Sequence, residues 1–530
     1  MRDDTSFDDA SPQAESLWLA TTPTTEYGPL ENGLSVDVAV IGGGIAGLTT
    51  ALELTERGRS VAVIEADRIL EGVTGHTTAK LTSQHGLIYD QLREAFDLET
   101  ARQYAAANET AIDAVEARVE DWGIDCQFER TPSYVYTESP EDTETIRAEV
   151  ATAKRAGLRA TFVEETPLPF DTAGAIRFNE QAQFHPRAYL LSLAAAIVED
   201  GENATQNYIL EETRATGLES GSPCRVETDR GEVVADHVVV ATHFPFVDRG
   251  GYFARMHPHR AYLLAVSLEN SPPEGMYYST ATPAATFRPA SADGEDLLIV
   301  GGQSHKPGLE GVSASERYRR CARYAREHFA VDDIEYRWST MDYSSVDSMP
   351  FIGRLGPGTK NTYVATGFSG WGMSGGTIAG MILSDLICDG ESQWADCFDP
   401  LRVTPKASAK RFLEENSKVG ASFVADRITS FLSREDIPTA IDEATVARRR
   451  GRAMGIYRDD DDTVHAVSAV CPHMACLVRW NDAERTWDCP CHGSRFDYTG
   501  DVISGPALEG LPYRELSTRQ SEPRGDADSN

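Results

Sequence analysis

Cys471-Pro-His473 and Cys489-Pro-Cys491-His492, fifteen residues apart, offer a ligand set of two cysteines and two histidines, Cys471, His473, Cys489 and His492, split over two short runs. Such a donor set can hold zinc in a closed tetrahedral site, or a 2Fe-2S cluster in which two thiolates hold one iron and two imidazoles the other. Replacing thiolates by neutral imidazoles raises the cluster's reduction potential to roughly −150 to +300 mV. A centre of that kind moves single electrons and makes no bonds, so any bond chemistry must come from elsewhere in the chain.

A second chemical signal lies near the start. VDVAVIGGGIAGLTTALELTERGRSVAVIEAD, from Val36, reads as strand, glycine turn, amphipathic helix and strand. Gly42, Gly44 and Gly47 form G-x-G-x-x-G at the helix start, where backbone amides and the positive helix end can meet a pyrophosphate. Glu65 closes the second strand; a carboxylate there accepts from ribose hydroxyls and repels a 2′-phosphate, favouring FAD or NAD over NADP.

The choice of FAD comes from the far end of the same region. Asp347-Ser-Met-Pro350-Phe-Ile-Gly353, followed by Val364-Ala-Thr-Gly367-Phe-Ser369-Gly370-Trp371-Gly372-Met373, resembles the C-terminal flavin motif of the D-amino-acid oxidase, glycine oxidase and sarcosine oxidase superfamily. The resemblance implies that Gly353, Gly367, Ser369, Gly370, Gly372 and Met373 line the flavin, with a helix beginning near Ser374 turning its positive end toward the ring. It also implies a small-residue loop beside the flavin, Gly72-Val-Thr74-Gly75-His76-Thr77-Thr78-Ala79-Lys80, in which Thr74, Gly75, Thr77 and Thr78 offer hydroxyls and amides. Gln183-Phe184-His185-Pro186 fits a family segment leading into a helix, with His185 a structural turn residue. The likeness spans roughly residues 36 to 390. Two departures matter: RWSTMDYSSVDSMPFIG lacks the cysteine through which sarcosine oxidases attach flavin, so the flavin should be noncovalent, and Ser374 stands where they carry a carboxylate-binding lysine.

CPHMAC and CPCHGS resemble the paired loops of the respiratory and photosynthetic Rieske proteins. That resemblance makes Cys471, His473, Cys489 and His492 the ligands of a Rieske 2Fe-2S cluster. It pairs Cys476 with Cys491 as a disulfide tying the loops together, and it gives Ser494 a hydroxyl that donates to a cluster sulfur and raises the potential. Gly505-Pro506-Ala507 matches the covering proline loop. Phe496 stands where high-potential relatives have tyrosine, which implies an intermediate potential.

These two resemblances set the architecture expected of 530 residues. It is an α/β (α+β) chain: a split FAD-binding Rossmann-like domain with an inserted antiparallel-sheet substrate domain, then a C-terminal all-β Rieske domain. The expected divisions are a disordered arm over 1–30 and an oxidoreductase over 31–395. Its FAD-binding parts are about 31–90, 175–258 and 340–395, and its substrate domain about 91–174 and 259–339. A helical linker over 396–430, the Rieske domain over 431–515 and a disordered tail over 516–530 complete the chain. The 49 basic and 83 acidic residues, net −34, exclude nucleic acid as a partner. With only seven lysines among the basic residues, the balance resembles that of proteins from salt-loving organisms. No run of 18 apolar residues and no basic-then-apolar leader is present, so a soluble cytoplasmic protein is expected.

Together the resemblances imply oxidation of a C–N bond in an amine or amino acid by hydride transfer to flavin, with electrons passing on to the cluster and then to an acceptor the sequence does not name. Arg260, Tyr262 and Arg288, in the expected antiparallel sheet, could clamp a carboxylate. Trp371 lies within the flavin loop, and His305 is a further candidate. Other readings are an electron-transfer flavoprotein fed by a partner, or a simple oxidase with a redox-sensing Rieske cap.

Overall fold

The computed structural model describes residues 12–199, 206–308, 311–409, 411–417, 437–449 and 451–514, in two compact units, Met1–Gly420 and Ala421–Asn530. The expected disorder of 1–11 and 516–530, and the linker reading over 418–430, fall outside the described residues.

The first unit is built on two sheets. One runs in the order Phe351–Arg354, Thr362–Thr366, Gly231–Val240, Leu34–Ile41, Val61–Ile64, Tyr208–Leu210, parallel along that path except at the Phe351–Arg354 edge, with Cys224–Thr228 and then Ala215–Glu219 added antiparallel beside Gly231–Val240. Its central strands are Val/Ile/Ala runs buried on both faces, as a sheet covered by helices on each side requires. Helix Ile45–Glu56 leaves the glycine turn, and helix Gly372–Cys388 leaves the flavin loop. The two pack on each other through glycines: a Cβ on Gly376 would lie 2.8 Å from Ile45 Cγ2, and one on Gly380 would lie 2.5 Å from Thr49 Cγ2. Both halves of the expected flavin site are thereby joined by one helix contact.

The second sheet runs Val331–Ser345, Met256–Leu268, Glu295–His305, Thr286–Ala292, Met276–Ser279, Glu129–Thr137, Gly174–Gln183, Lys80–Leu81, and is antiparallel except between Met276–Ser279 and Glu129–Thr137. Helix Ala314–His328 covers one face, with Tyr318 edge-on to Tyr262 at 4.9 Å. Two boundaries differ from expectation. Strand Gly174–Gln183, assigned to the FAD-binding part, belongs to this sheet, because eight of its ten residues pair along Glu129–Thr137. Helix Leu98–Trp122, assigned to the substrate part, buries Ala101, Ala105, Ala111 and Ile112 in the same core as Val38, Leu48 and Ile378.

The expectation of a disordered arm over 1–30 is corrected for its described part. Ser16 caps a single helical turn, Leu17–Ala20, and Leu17 and Trp18 are fully buried against Ala79, Leu263, Ile299 and Trp338. Burying two such side chains contributes about 1.5–3 kcal/mol each, enough to order a short polar segment. Arg187 Nη1 donates to Pro23 O at 2.7 Å, and Glu211 Oε2 accepts from Tyr27 N at 2.9 Å, extending the hold.

The second unit has two small antiparallel sheets, Ala444–Arg449/Arg452–Arg458/Val464–Ser468 and Arg479–Asn481/Thr486–Asp488/Arg495–Asp497/Val502–Ser504. Trp487, fully buried, joins them: the space a Cβ on Gly455 would take lies 2.9 Å from its ring.

Candidate flavin site and iron–sulfur site

The fingerprint turn is compact because it has no side chains. Gly42 has φ +112°, and a Cβ there would sit 2.4 Å from Ala241 O; one on Gly47 would sit 1.9 Å from Gly42 O. Helix Ile45–Glu56 is therefore seated directly on the turn. Gly44 occupies its N-cap without a side-chain cap, and Thr74 Oγ1 accepts from Ile45 N at 3.1 Å instead. Glu65 Oε2 accepts from Gly43 N at 2.7 Å and Oε1 from Asp67 N at 3.2 Å; burial raises its carboxyl pKa against the pull of those amides. A carboxylate held at the fingerprint is chemically suited to ribose hydroxyls.

At the second motif, strand Thr362–Thr366 ends in Gly367 (φ +77°), Ser369 (φ +57°) and Gly370 (φ +88°), and the helix begins at Gly372. Asp342 fixes this loop by accepting from the Gly370 amide; burial raises its pKa, and His243 opposes the rise. Gly353 lies on the neighbouring strand with φ +146°. Asp347, which opens this motif, is clamped by Arg402 at 2.8 Å. Met373 and Ser374 are buried. Thr340, two residues before Asp342, has a buried hydroxyl with no hydrogen-bond partner among the described residues. The glycine cradle, the held carboxylate and this orphaned hydroxyl fit a bound FAD.

Of the four residues expected to meet substrate, the structure brings one to the flavin loop. Trp371 stacks on His85 at 4.7 Å and lies 5.7 Å from Tyr278. His85 Nε2 is 2.7 Å from Thr82 O and 3.2 Å from Ser374 Oγ, while Nδ1 meets the Tyr104 hydroxyl. Burial pushes the imidazole down to about 3, against the Thr82 carbonyl, so it is neutral. Sequence reasoning passed over His85, Tyr104 and Tyr278; the one signal was a histidine five residues beyond the Thr74–Lys80 loop.

Strand alternation explains Arg260 and Tyr262, while Arg288 is taken up by backbone carbonyls. Leu263 and Trp338 turn toward Trp18 and Ala79, so Tyr262, the neighbour of Leu263, turns to the opposite face and meets Tyr318 and His305. Arg260 is 1% exposed, with Nη1 donating to Ser339 Oγ at 2.7 Å. Arg288 donates to the carbonyls of Pro289, Ala79 and Phe184 at 2.7, 2.9 and 3.1 Å, and burial pushes its guanidinium down to about 9. In this structure Arg260, Tyr262 and Arg288 brace the sheet and its neighbouring loop.

In the second unit the two loops lie side by side. Cys471 and Cys489 are each 1% exposed and their thiols share a hydrogen bond. That bond, opposed by burial and helped by the Ser494 hydroxyl, brings Cys471 down to about 7, while the same bond and burial push Cys489 up. The His473 and His492 rings stand 4.9 Å apart at 90°. Cys476 and Cys491 form a disulfide, Cα–Cα 6.5 Å, and the Cys476, Cys489 and Cys491 sulfurs lie within 4.8 Å of one another. Two soft thiolates beside two imidazoles fit the mixed ligation of a Rieske cluster. Ser494 is fully buried and its Oγ accepts from Ala507 N at 3.0 Å, which leaves its proton for the sulfur side. Ser494→Ala is expected to lower the cluster potential by about 60 mV or more, since 59 mV matches one tenfold step for one electron and a hydrogen bond to a charged group is worth about that or more. Protein-film voltammetry measures the shift.

These sites define a flavoprotein with an attached Rieske centre. The model of the FAD dependent oxidoreductase family matches residues 37–386 and that of the Rieske [2Fe-2S] domain matches 431–515. The chain belongs to the FAD dependent oxidoreductase family and carries a Rieske 2Fe-2S domain. It is 37% identical over 505 residues to YhfW of Bacillus subtilis (strain 168), which bears the name of a Rieske 2Fe-2S iron-sulfur protein, covering 95% of this chain and 98% of that one. Gamma-glutamylputrescine oxidoreductase of Escherichia coli is 23% identical across 76% of this chain and 96% of its own. Glycine oxidase from Geobacillus kaustophilus shares the fold, with TM-score 0.57 at 19% identity, over 70% of this chain and 99% of that one. Among the described residues no helix is long and apolar enough to cross a membrane.

Proposed function

We propose that the chain oxidises a C–N bond of a small amine or amino acid at FAD and releases the electrons singly through its Rieske cluster. Bound FAD supplies a two-electron acceptor, and the cluster supplies a one-electron carrier. The observation that carries the reading is the wall beside the flavin loop: Trp371, His85 and Tyr278 present aromatic, uncharged surface, backed by Ser374. Aromatic faces attract an ammonium group, and neutral His85 adds no positive charge to repel it. With Ser374 in the lysine's place, a carboxylate finds no cation at that position, which favours amines over small amino acids. The amine named for the Escherichia coli relative agrees with this preference.

His85, held between Thr82 and Tyr104, keeps Trp371 in place by stacking. Asp342 fixes the loop from the other side through the Gly370 amide. The test is anaerobic mixing with a panel of amines and amino acids, following flavin bleaching and the cluster's electron paramagnetic signal. Bleaching by an amine, followed by a reduced-cluster signal, is expected. If a nicotinamide bleaches the flavin and no amine does, the C–N reading fails; bleaching without a cluster signal removes the internal transfer.

A further inference from the structure

The run Gly75–Ala79 leads from the turn Val73–His76 into strand Lys80–Leu81, beside the glycine fingerprint. Its five successive carbonyls are all held by side-chain donors. Ser16 Oγ donates to Gly75 O, Trp338 Nε1 to His76 O at 3.0 Å and Trp18 Nε1 to Thr77 O at 2.7 Å. Arg288 Nη1 donates to Ala79 O at 2.9 Å and more weakly to Thr78 O at 3.4 Å. The donors themselves are buried: Ser16 and Trp18 at 0%, Trp338 and Arg288 at 3%. Thr74, just ahead of the run, ties it to the fingerprint helix through Ile45 N.

Connecting loops usually give their carbonyls to water. Here the segment Ser16–Thr25 has been laid across the loop to take two of them, and that segment precedes residue 37, where the family match begins. Arg288 anchors both parts, lying 5.3 Å over the Trp18 ring while it holds Ala79 O.

We propose that Ser16 and Trp18 are positioning residues for FAD. By occupying the Gly75 and Thr77 carbonyls, they keep those lone pairs away from an anionic cofactor. The Gly75 and Ala79 amides donate to Gly72 O and Thr77 Oγ1, so the Thr77 and Thr78 amides and the threonine hydroxyl protons are what remains for the pyrophosphate or ring. The strap acts through the loop and touches no reacting atom. The inference rests on flavin binding alone and holds whatever the substrate is.

Trp18→Phe tests it in the full-length protein, because phenylalanine keeps an aromatic ring against Arg288 and His185 and loses only the N–H donor. FAD is titrated into the apoprotein by flavin fluorescence, and the thermal midpoint of the same apoprotein is recorded beside it. The expected result is a FAD dissociation constant raised about 3- to 10-fold, the loss of one hydrogen bond, with the apoprotein midpoint within about 2 °C of wild type and an altered flavin absorption envelope. Should Trp18→Phe fail to accumulate folded, Ser16→Ala decides by the same two measurements. An unchanged dissociation constant overturns the proposal, and so does a loss of affinity that only tracks a fall in the apoprotein midpoint. No substrate enters the assay, so its failure is separable from that of the amine reading.

Discussion

Cys471→Ser is expected to yield a protein with its full complement of FAD and almost no iron–sulfur cluster. Cys471 is buried beside Cys489 and within reach of Ser494, and a serine oxygen is a poor substitute for a soft thiolate on iron. Losing a supporting residue around a metal typically costs 10–100-fold in affinity; losing a ligand should cost at least about 100-fold on that scale. Iron analysis and loss of the cluster's paramagnetic signal measure the effect. The flavin absorbance per chain should be unchanged, because the fingerprint and flavin loop lie in the first compact unit and the cysteine in the second. Under the proposed function the variant's flavin is still reduced by substrate at the wild-type rate, while delivery to a one-electron acceptor stops. A variant that keeps the Rieske signal would remove Cys471 from the ligand set.

Gly47→Ala should give the complementary loss: a chain that retains its cluster and cannot hold FAD. The new Cβ would lie 1.9 Å from Gly42 O and 3.4 Å from Val40 Cγ1. The first contact is against backbone, which cannot rotate away, so the helix must lift off the turn. A displacement that breaks such packing belongs with substitutions costing more than about 4 kcal/mol, and it moves the amides that would face the pyrophosphate. The dissociation constant for FAD should rise at least about 100-fold, the equivalent of 2.8 kcal/mol. Gly28→Ala is the control, since nothing lies within 4 Å of its Cβ position and its φ is not positive. Wild-type FAD content in Gly47→Ala, measured by absorbance of the purified protein, would contradict the packing argument.

What the sequence disclosed is what local chemistry dictates. Gly42, Gly44 and Gly47 between a strand and a helix, with Glu65 after the next strand, state a requirement that few backbones meet, and the fold places them at one turn. The cysteines and histidines state theirs through spacing. Where contacts join distant segments, local reading ran out. Leu17 and Trp18 look minor within a polar segment rich in Thr, Pro and Glu, and only the face formed by Ala79, Leu263 and Ile299 makes them anchors. Arg260 and Tyr262 sit on a strand buried on both faces, so no polar–apolar alternation in the sequence tells which side meets the flavin loop. His85 became visible only when Trp371, from the far end of the unit, was brought against it.

The close contact of helices Ile45–Glu56 and Gly372–Cys388 has a consequence for how the protein is made. The two halves of the cofactor site come from opposite ends of the first unit and are joined through Gly376 and Gly380. A nascent chain that has exposed only the fingerprint owns half a pocket, and pairing so distant in sequence is slow to form. Cofactor loading must then wait until the chain has been made past Cys388, and cells short of riboflavin should accumulate a chain whose flavin unit is left without its cofactor.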